Sequence, residues 1–265
     1  MDHFAKMEKH KENIQGLTPS STRKKKTGGT ISYMTFDELI VAKEQAVKAN
    51  KVDSVILYLE QMIKICEDAT AFADLFLELA DLYFEKQSYD KALRMYGEFV
   101  ALYPGSNQIE YAEYKAILCS FLCTLDEERD QTRTEETITR ANNFLERENI
   151  FVEYSGKVRK ILKQCYEKLT KSDLLICQFL LNQKASARNN YANVDRRIEA
   201  IRTEYIPHIP YYELLVLQFE IEVAEKKKDK NLINELQLSL KESITLCGDI
   251  AQELLADNYK TRWRF

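Results

Sequence analysis

At 265 residues the chain can form one large domain or two small ones, with a core of ordinary size. Seven Gly and four Pro are too few for the tight hairpins of an all-β fold, and plentiful Leu, Ala, Glu, Lys and Tyr point to an all-α one. The net charge is −4, yet residues 1–34 hold seven Lys/Arg against three Asp/Glu, so the rest carries −8 and lacks the clustered cations of a nucleic-acid groove.

In chain order, residues 1–34 combine Gly16, Pro19, "PSST", the basic run Arg23 to Lys26 and "TGG". Such a composition buries too little apolar surface to offset chain entropy, so a disordered basic arm is expected. Four cations could attract an anionic membrane at about 1 kcal/mol each, but no amphipathic helix or lipid anchor adjoins them, and a solubilising tail is the simpler reading. The opening "MDHFAKMEKHKENIQG" has no apolar core of a secretory signal. No apolar run approaches the roughly 18 residues that span a bilayer. As written, the chain is expected to be soluble and without an export signal.

A helical domain is predicted over 35–265. It opens at Thr35, whose hydroxyl can cap the helix while Glu38, three residues on, reaches back. Breaks are expected near Asn50, Asp68 to Thr70, Lys86 to Ser88, Pro104 to Asn107, Asp126 to Asp130, Val152 to Gly156, Ala185 to Asn190, Pro207 to Pro210 and Lys226 to Lys230. That spacing predicts helices of roughly 12 to 18 residues in antiparallel pairs, about five pairs in all.

The pairs repeat. Sliding "KVDSVILYLEQMIKIC" onto "SYDKALRMYGEFVALY" superposes Val55 on Ala92, Ile56 on Leu93, Leu59 on Tyr96 and Met62 on Phe99. The same shift lays Leu75, Leu79 and Ala80 over Ala112, Ala116 and Ile117, so both helices of the unit recur. A 34-residue unit counted from Ala73 places Leu79, Ala80, Tyr83, Ala92, Tyr96 and Pro104 at or near tetratricopeptide signature positions. Small Ala80 and Ala92 let two helices approach, large Tyr83, Tyr96 and Phe99 fill the groove to the next unit, and Pro104 ends the helix. The expected fold is therefore a tetratricopeptide-like α-solenoid. Its concave face, lined by the first helix of each unit, would accept extended or helical peptides. Tyr there offers contact area and a hydrogen bond at low entropy cost, which makes Tyr111 and Tyr114 candidate contacts; a core role for them stands beside that reading.

Chemistry-bearing residues point away from catalysis. His3 and His10 lie in the arm, and His208 lies between prolines in a loop. Cys66, Cys119, Cys123, Cys165, Cys177 and Cys247 show neither disulfide nor zinc spacing and are expected to be mostly buried, reduced thiols. Cys119 and Cys123 could make half a metal site, but no Cys or His pair supplies the other half. Phosphate loops, nucleophile elbows and HExxH motifs do not occur. No catalytic residue, metal or cofactor is expected.

The stretch "YDKALRMYGEFVALYPGSNQIEYAEYKAILCSF" resembles the second repeat of the BamD-like outer-membrane assembly lipoproteins. "ERDQT", Glu128 to Thr132, is similar to the loop before that family's third-repeat helix. "YANVDRRIEAIRTEYIP" resembles its fourth repeat, with Arg197, Ile198, Glu199 and Tyr205 on the recurring positions. The resemblance runs from about Thr35 to Ala224. It implies a non-enzymatic scaffold at the periplasmic face of the bacterial outer membrane. Its N-terminal repeats would hold segments of unfolded outer-membrane proteins, with Tyr83, Tyr111 and Tyr114 on that side. Its C-terminal repeats would hold the periplasmic domains of the barrel-assembly partner, with Arg197 in the supporting half. Membrane contact would be indirect or through a lipid anchor. Members of that family carry a lipidated cysteine after a signal peptide, whereas the first cysteine here, Cys66, falls inside a predicted helix. A cytoplasmic tetratricopeptide adaptor or chaperone that holds a peptide in its groove is the alternative.

Overall fold

The structure is a computed structural model that describes residues 31–183 and 187–251. Most of the basic arm, with Arg23 to Lys26, lies outside the described residues, as do Ala185 in the expected break and the C-terminal Trp263 and Phe265. The described elements are helical throughout, and the fold is all-α and tetratricopeptide-like. No helix among the described residues is long and apolar enough to cross a membrane.

The chain divides into two compact units, the first formed by the residues up to Cys123 with Phe144–Val158, the second by Thr124–Asn143 with the residues from Arg159 onward. In the first unit, α1 (Phe36–Lys48), α2 (Val52–Ile65), α3 (Ala69–Glu85), α4 (Tyr89–Leu102) and α5 (Ile109–Leu122) each pack on the next. The Thr35–Glu38 capping box forms as expected, Thr35 N–H donating to Glu38 at 2.8 Å and Glu38 N–H to the Thr35 hydroxyl at 3.3 Å. Asp68 caps α3 by accepting from the amide of Thr70 at 2.8 Å.

Two of these helices end without glycine. Asn50 (φ 54°) and Gln87 (φ 58°) take the left-handed conformation, and the amides after them turn back to Ala46 and Tyr83 carbonyls at 2.9 Å. These bonds satisfy carbonyls that a helix end leaves open. The repeat register is the one expected: Val55, Ile56, Leu59 and Met62 of α2 and Ala92, Leu93, Tyr96 and Phe99 of α4 are all buried. Ala80 and Ala92 are fully buried where close helix approach requires small side chains.

The second unit includes most of α6 (Thr132–Leu145) and α7 (Ser155–Asn182), then α8 (Ala187–Ala200), α9 (Glu213–Lys227) and α10 (Lys230–Cys247). At 28 residues α7 exceeds the expected 12 to 18, because after Gly156 nothing in it breaks a helix. Between α8 and α9 the chain passes through a π-helical turn, Ile201–Tyr205, and two 3-10 turns, Ile206–His208 and Pro210–Tyr212. Pro207 has no amide hydrogen and its ring crowds the carbonyl four residues back, so the helix widens there instead of continuing. Leu214, Leu215, Val216 and Leu217 are buried in succession, which makes α9 the central helix of this unit, whereas α10 packs on it without burying any residue fully.

Candidate protein-binding site

The first unit gathers aromatic side chains around α5. Asp81 of α3 accepts hydrogen bonds from the phenols of Tyr96 and Tyr111, the latter at 2.6 Å. Burial, reinforced by the Asp81 charge, pushes both phenols well above their ordinary value of 10, so they stay protonated donors. Tyr111 meets Tyr96 edge-on with ring centres 6.3 Å apart. This pairing fixes Tyr111 from below.

From the other side Tyr111 and Tyr114, three residues apart on α5, meet Tyr154. Tyr114 stacks on it at 4.7 Å between centroids and 19° between planes, while Tyr111 approaches at 6.1 Å and 64°. Tyr154 ends the segment 146–154, which is tied to α5 at two carboxylates. Glu113 pairs with the Arg147 guanidinium, Nη1 to Oε1 at 3.0 Å, and Glu110 accepts the Tyr154 amide at 2.8 Å. Phe151 anchors the segment, buried against Phe144 at 5.1 Å with the Arg147 guanidinium over its ring. Its neighbours Ile150 and Val152 are 68% and 69% exposed. Phe151 therefore holds the strap down while two β-branched apolar side chains face water beside it.

Two lysines cover this surface. Lys115 lies 3.7 Å over the Phe84 ring and 5.5 Å over Tyr111; Lys157 lies 4.8 Å over Tyr154 and 5.4 Å over Tyr114. Lys115 is half-buried and Lys157 exposed, and ammonium groups are attracted to the negative ring faces at roughly 0.5–1 kcal/mol each where water still reaches them. Tyr111, Tyr114 and Tyr154 are half-buried, so the rings offer area to an incoming chain. Tyr83 sits differently. It is 5% exposed, its hydroxyl donates to Glu60 at 2.6 Å, and Lys91 lies over its ring.

In the second unit Arg197 pairs with Asp173 of α7. Tyr205, its phenol pushed up by burial and then by Asp173, shares that carboxylate. Sequence inspection missed the denser cluster close by. The Arg202 guanidinium forks onto Glu213 at 2.9 and 2.8 Å and onto Glu220 at 2.7 and 2.6 Å, tying the π turn to α9. Glu213 and Glu220, seven apart on one face of α9 and flanking the apolar run Leu214 to Leu217, were the available signal, since such a pair facing inward requires a cation. Tyr154 and its strap also went unseen.

Ring faces, phenol donors and ammonium groups of this kind recognise chains. Repeated helix pairs that present such a surface define an all-α, tetratricopeptide-like protein-interaction scaffold. A family model described as YfiO, outer membrane lipoprotein, matches residues 34–231. The chain belongs to that family, as the "YPGS" segment and the Arg197 helix suggested. The match takes in Tyr111, Tyr114, Tyr154 and Arg197. No curated protein matches the chain.

Proposed function

We propose that the protein is a non-enzymatic scaffold in the assembly of outer-membrane β-barrel proteins, working at the periplasmic face of that membrane. The observation that carries this reading is membership of the outer-membrane lipoprotein family across residues 34–231. The aromatic ledge of the first unit supports it. Tyr111, Tyr114 and Tyr154 offer rigid rings that bind extended, unfolded segments at low entropy cost, while buried Tyr83 ties α3 to α2 through Glu60. The Arg197–Asp173 pair belongs to the half that holds a folded partner domain of the barrel-assembly protein.

Three of the six cysteines, all buried, are protected against an oxidising compartment. Burial pushes the Cys119, Cys165 and Cys177 thiols up to about 12, where almost no reactive thiolate forms near neutral pH. The test is affinity purification of the C-terminally tagged chain from its native organism, with membrane fractionation. Recovery of a barrel-assembly protein from the envelope fraction is expected. Recovery of soluble cytoplasmic proteins alone would replace this reading with that of a cytoplasmic peptide adaptor.

A further inference from the structure

Every carboxylate woven into the aromatic ledge already has a local donor. Asp81 holds two phenols, Glu110 the Tyr154 amide, Glu113 the Arg147 guanidinium, and Glu153 the Tyr154 phenol. Lys115 and Lys157 are the counterpoint. Among the described residues neither ammonium meets a carboxylate; their contacts are the ring faces of Phe84 and Tyr111 for one, and of Tyr114 and Tyr154 for the other. Each cation has its own pair of rings, so the ledge presents two separate positive positions with aromatic surface between them.

We infer that this ledge selects extended segments bearing Asp or Glu side chains interleaved with aromatic or aliphatic ones, Lys115 and Lys157 being the cations that read the acids. The inference rests on the peptide-binding reading above and adds the charge of the ligand. Two observations favour an internal acidic segment over a chain end. A chain end brings one carboxylate, which can satisfy only one of two cations that sit on different rings. The body of the protein is negative, −8 beyond residue 34, so an acidic segment is repelled over most of it and is favoured where lysine ammonium groups stay unpaired beside carboxylates that already have donors. Ring contact also holds the lysine stems in place before the ligand arrives, which lowers the entropy lost on binding.

Fluorescence anisotropy with the full chain tests this. Three labelled peptides share an alternating Phe/Tyr pattern: one carries two Glu and an amidated end, one has Gln in place of Glu with an amidated end, and one has Gln with a free carboxylate end. The Glu peptide is expected to bind about tenfold tighter than its amidated Gln twin, as two partly shielded ion pairs provide. High salt should erase that advantage. Lys115→Gln with Lys157→Gln should erase it too, while Lys115→Arg with Lys157→Arg keeps it. Equal binding of the two amidated peptides would overturn the charge selection and leave the ledge as a peptide site. Binding of the free-carboxylate Gln peptide as tight as that of the Glu peptide would assign the lysines to a chain end and overturn the inference. Failure of all three peptides to bind would overturn both the inference and the reading beneath it.

Discussion

Asp81 is the residue on which the ledge turns, because two phenols from two further helices, Tyr96 of α4 and Tyr111 of α5, converge on one carboxylate. Both phenols are held above their ordinary value of 10 in the folded protein, and the Cys119 thiol nearby is raised from 9.0 to about 12. In the unfolded chain these groups lose their protons at lower pH than in the folded one. Their contribution to stability is therefore complete below about pH 9 and is lost progressively as the pH rises beyond it. The denaturation midpoint should fall steeply between about pH 9 and pH 11, and Tyr111→Phe, which removes one raised phenol, should flatten that fall. An unchanged slope in the variant would mean that Tyr111 ionises as freely folded as unfolded. The same residues show what a sequence can and cannot disclose. Tyr83 and Tyr111 fall on similar apolar stripes, yet one is buried and the other half-buried, a difference set by neighbouring helices and not by the stripe.

Helix ends carry much of the legible information at the scale of elements. The Thr35–Glu38 box and Asp68 each act within three residues along the chain, so they can be read locally, and the 37-residue shift between α2 and α4 is a comparison of the chain with itself. The strap over α5 is of another kind. Its ties join Arg147 to Glu113 and Tyr154 to Glu110, 34 and 44 residues apart, and no local pattern announces them. Asn50 and Gln87 likewise end helices in a conformation that glycine usually marks, which left those ends recognisable only by the loss of apolar pattern. The π turn before α9 depends on a further long-range tie. Arg202 satisfies two carboxylates that would otherwise lie partly buried and alone. Arg202→Met should destabilise the second unit by about 2 kcal/mol, less than a fully buried pair would because all three groups keep some water contact. Urea unfolding measures it. Adding Glu213→Gln and Glu220→Gln should recover part of the loss by removing the stranded charges. No recovery would show that the arginine stem, not its charge, holds the turn.

For the whole molecule, the fold class and the family were within reach of the sequence because both rest on recurring local pattern, while the ledge needed three dimensions. A scaffold that handles unfolded chains must offer them a surface that is apolar enough to bind yet open enough to release. Half-buried Tyr114 and Tyr154 beside the exposed Ile150 and Val152 meet that requirement in the first unit. Under the proposed function, outer-membrane proteins pass over this surface before they fold. The most direct test of that passage places a photoreactive phenylalanine analogue at Tyr114 in living cells and another at Leu57, an exposed apolar position on α2. Crosslinks to newly made, unfolded outer-membrane proteins at position 114 but not at position 57 are predicted. Crosslinks at neither position, or equal crosslinks at both, would contradict the account.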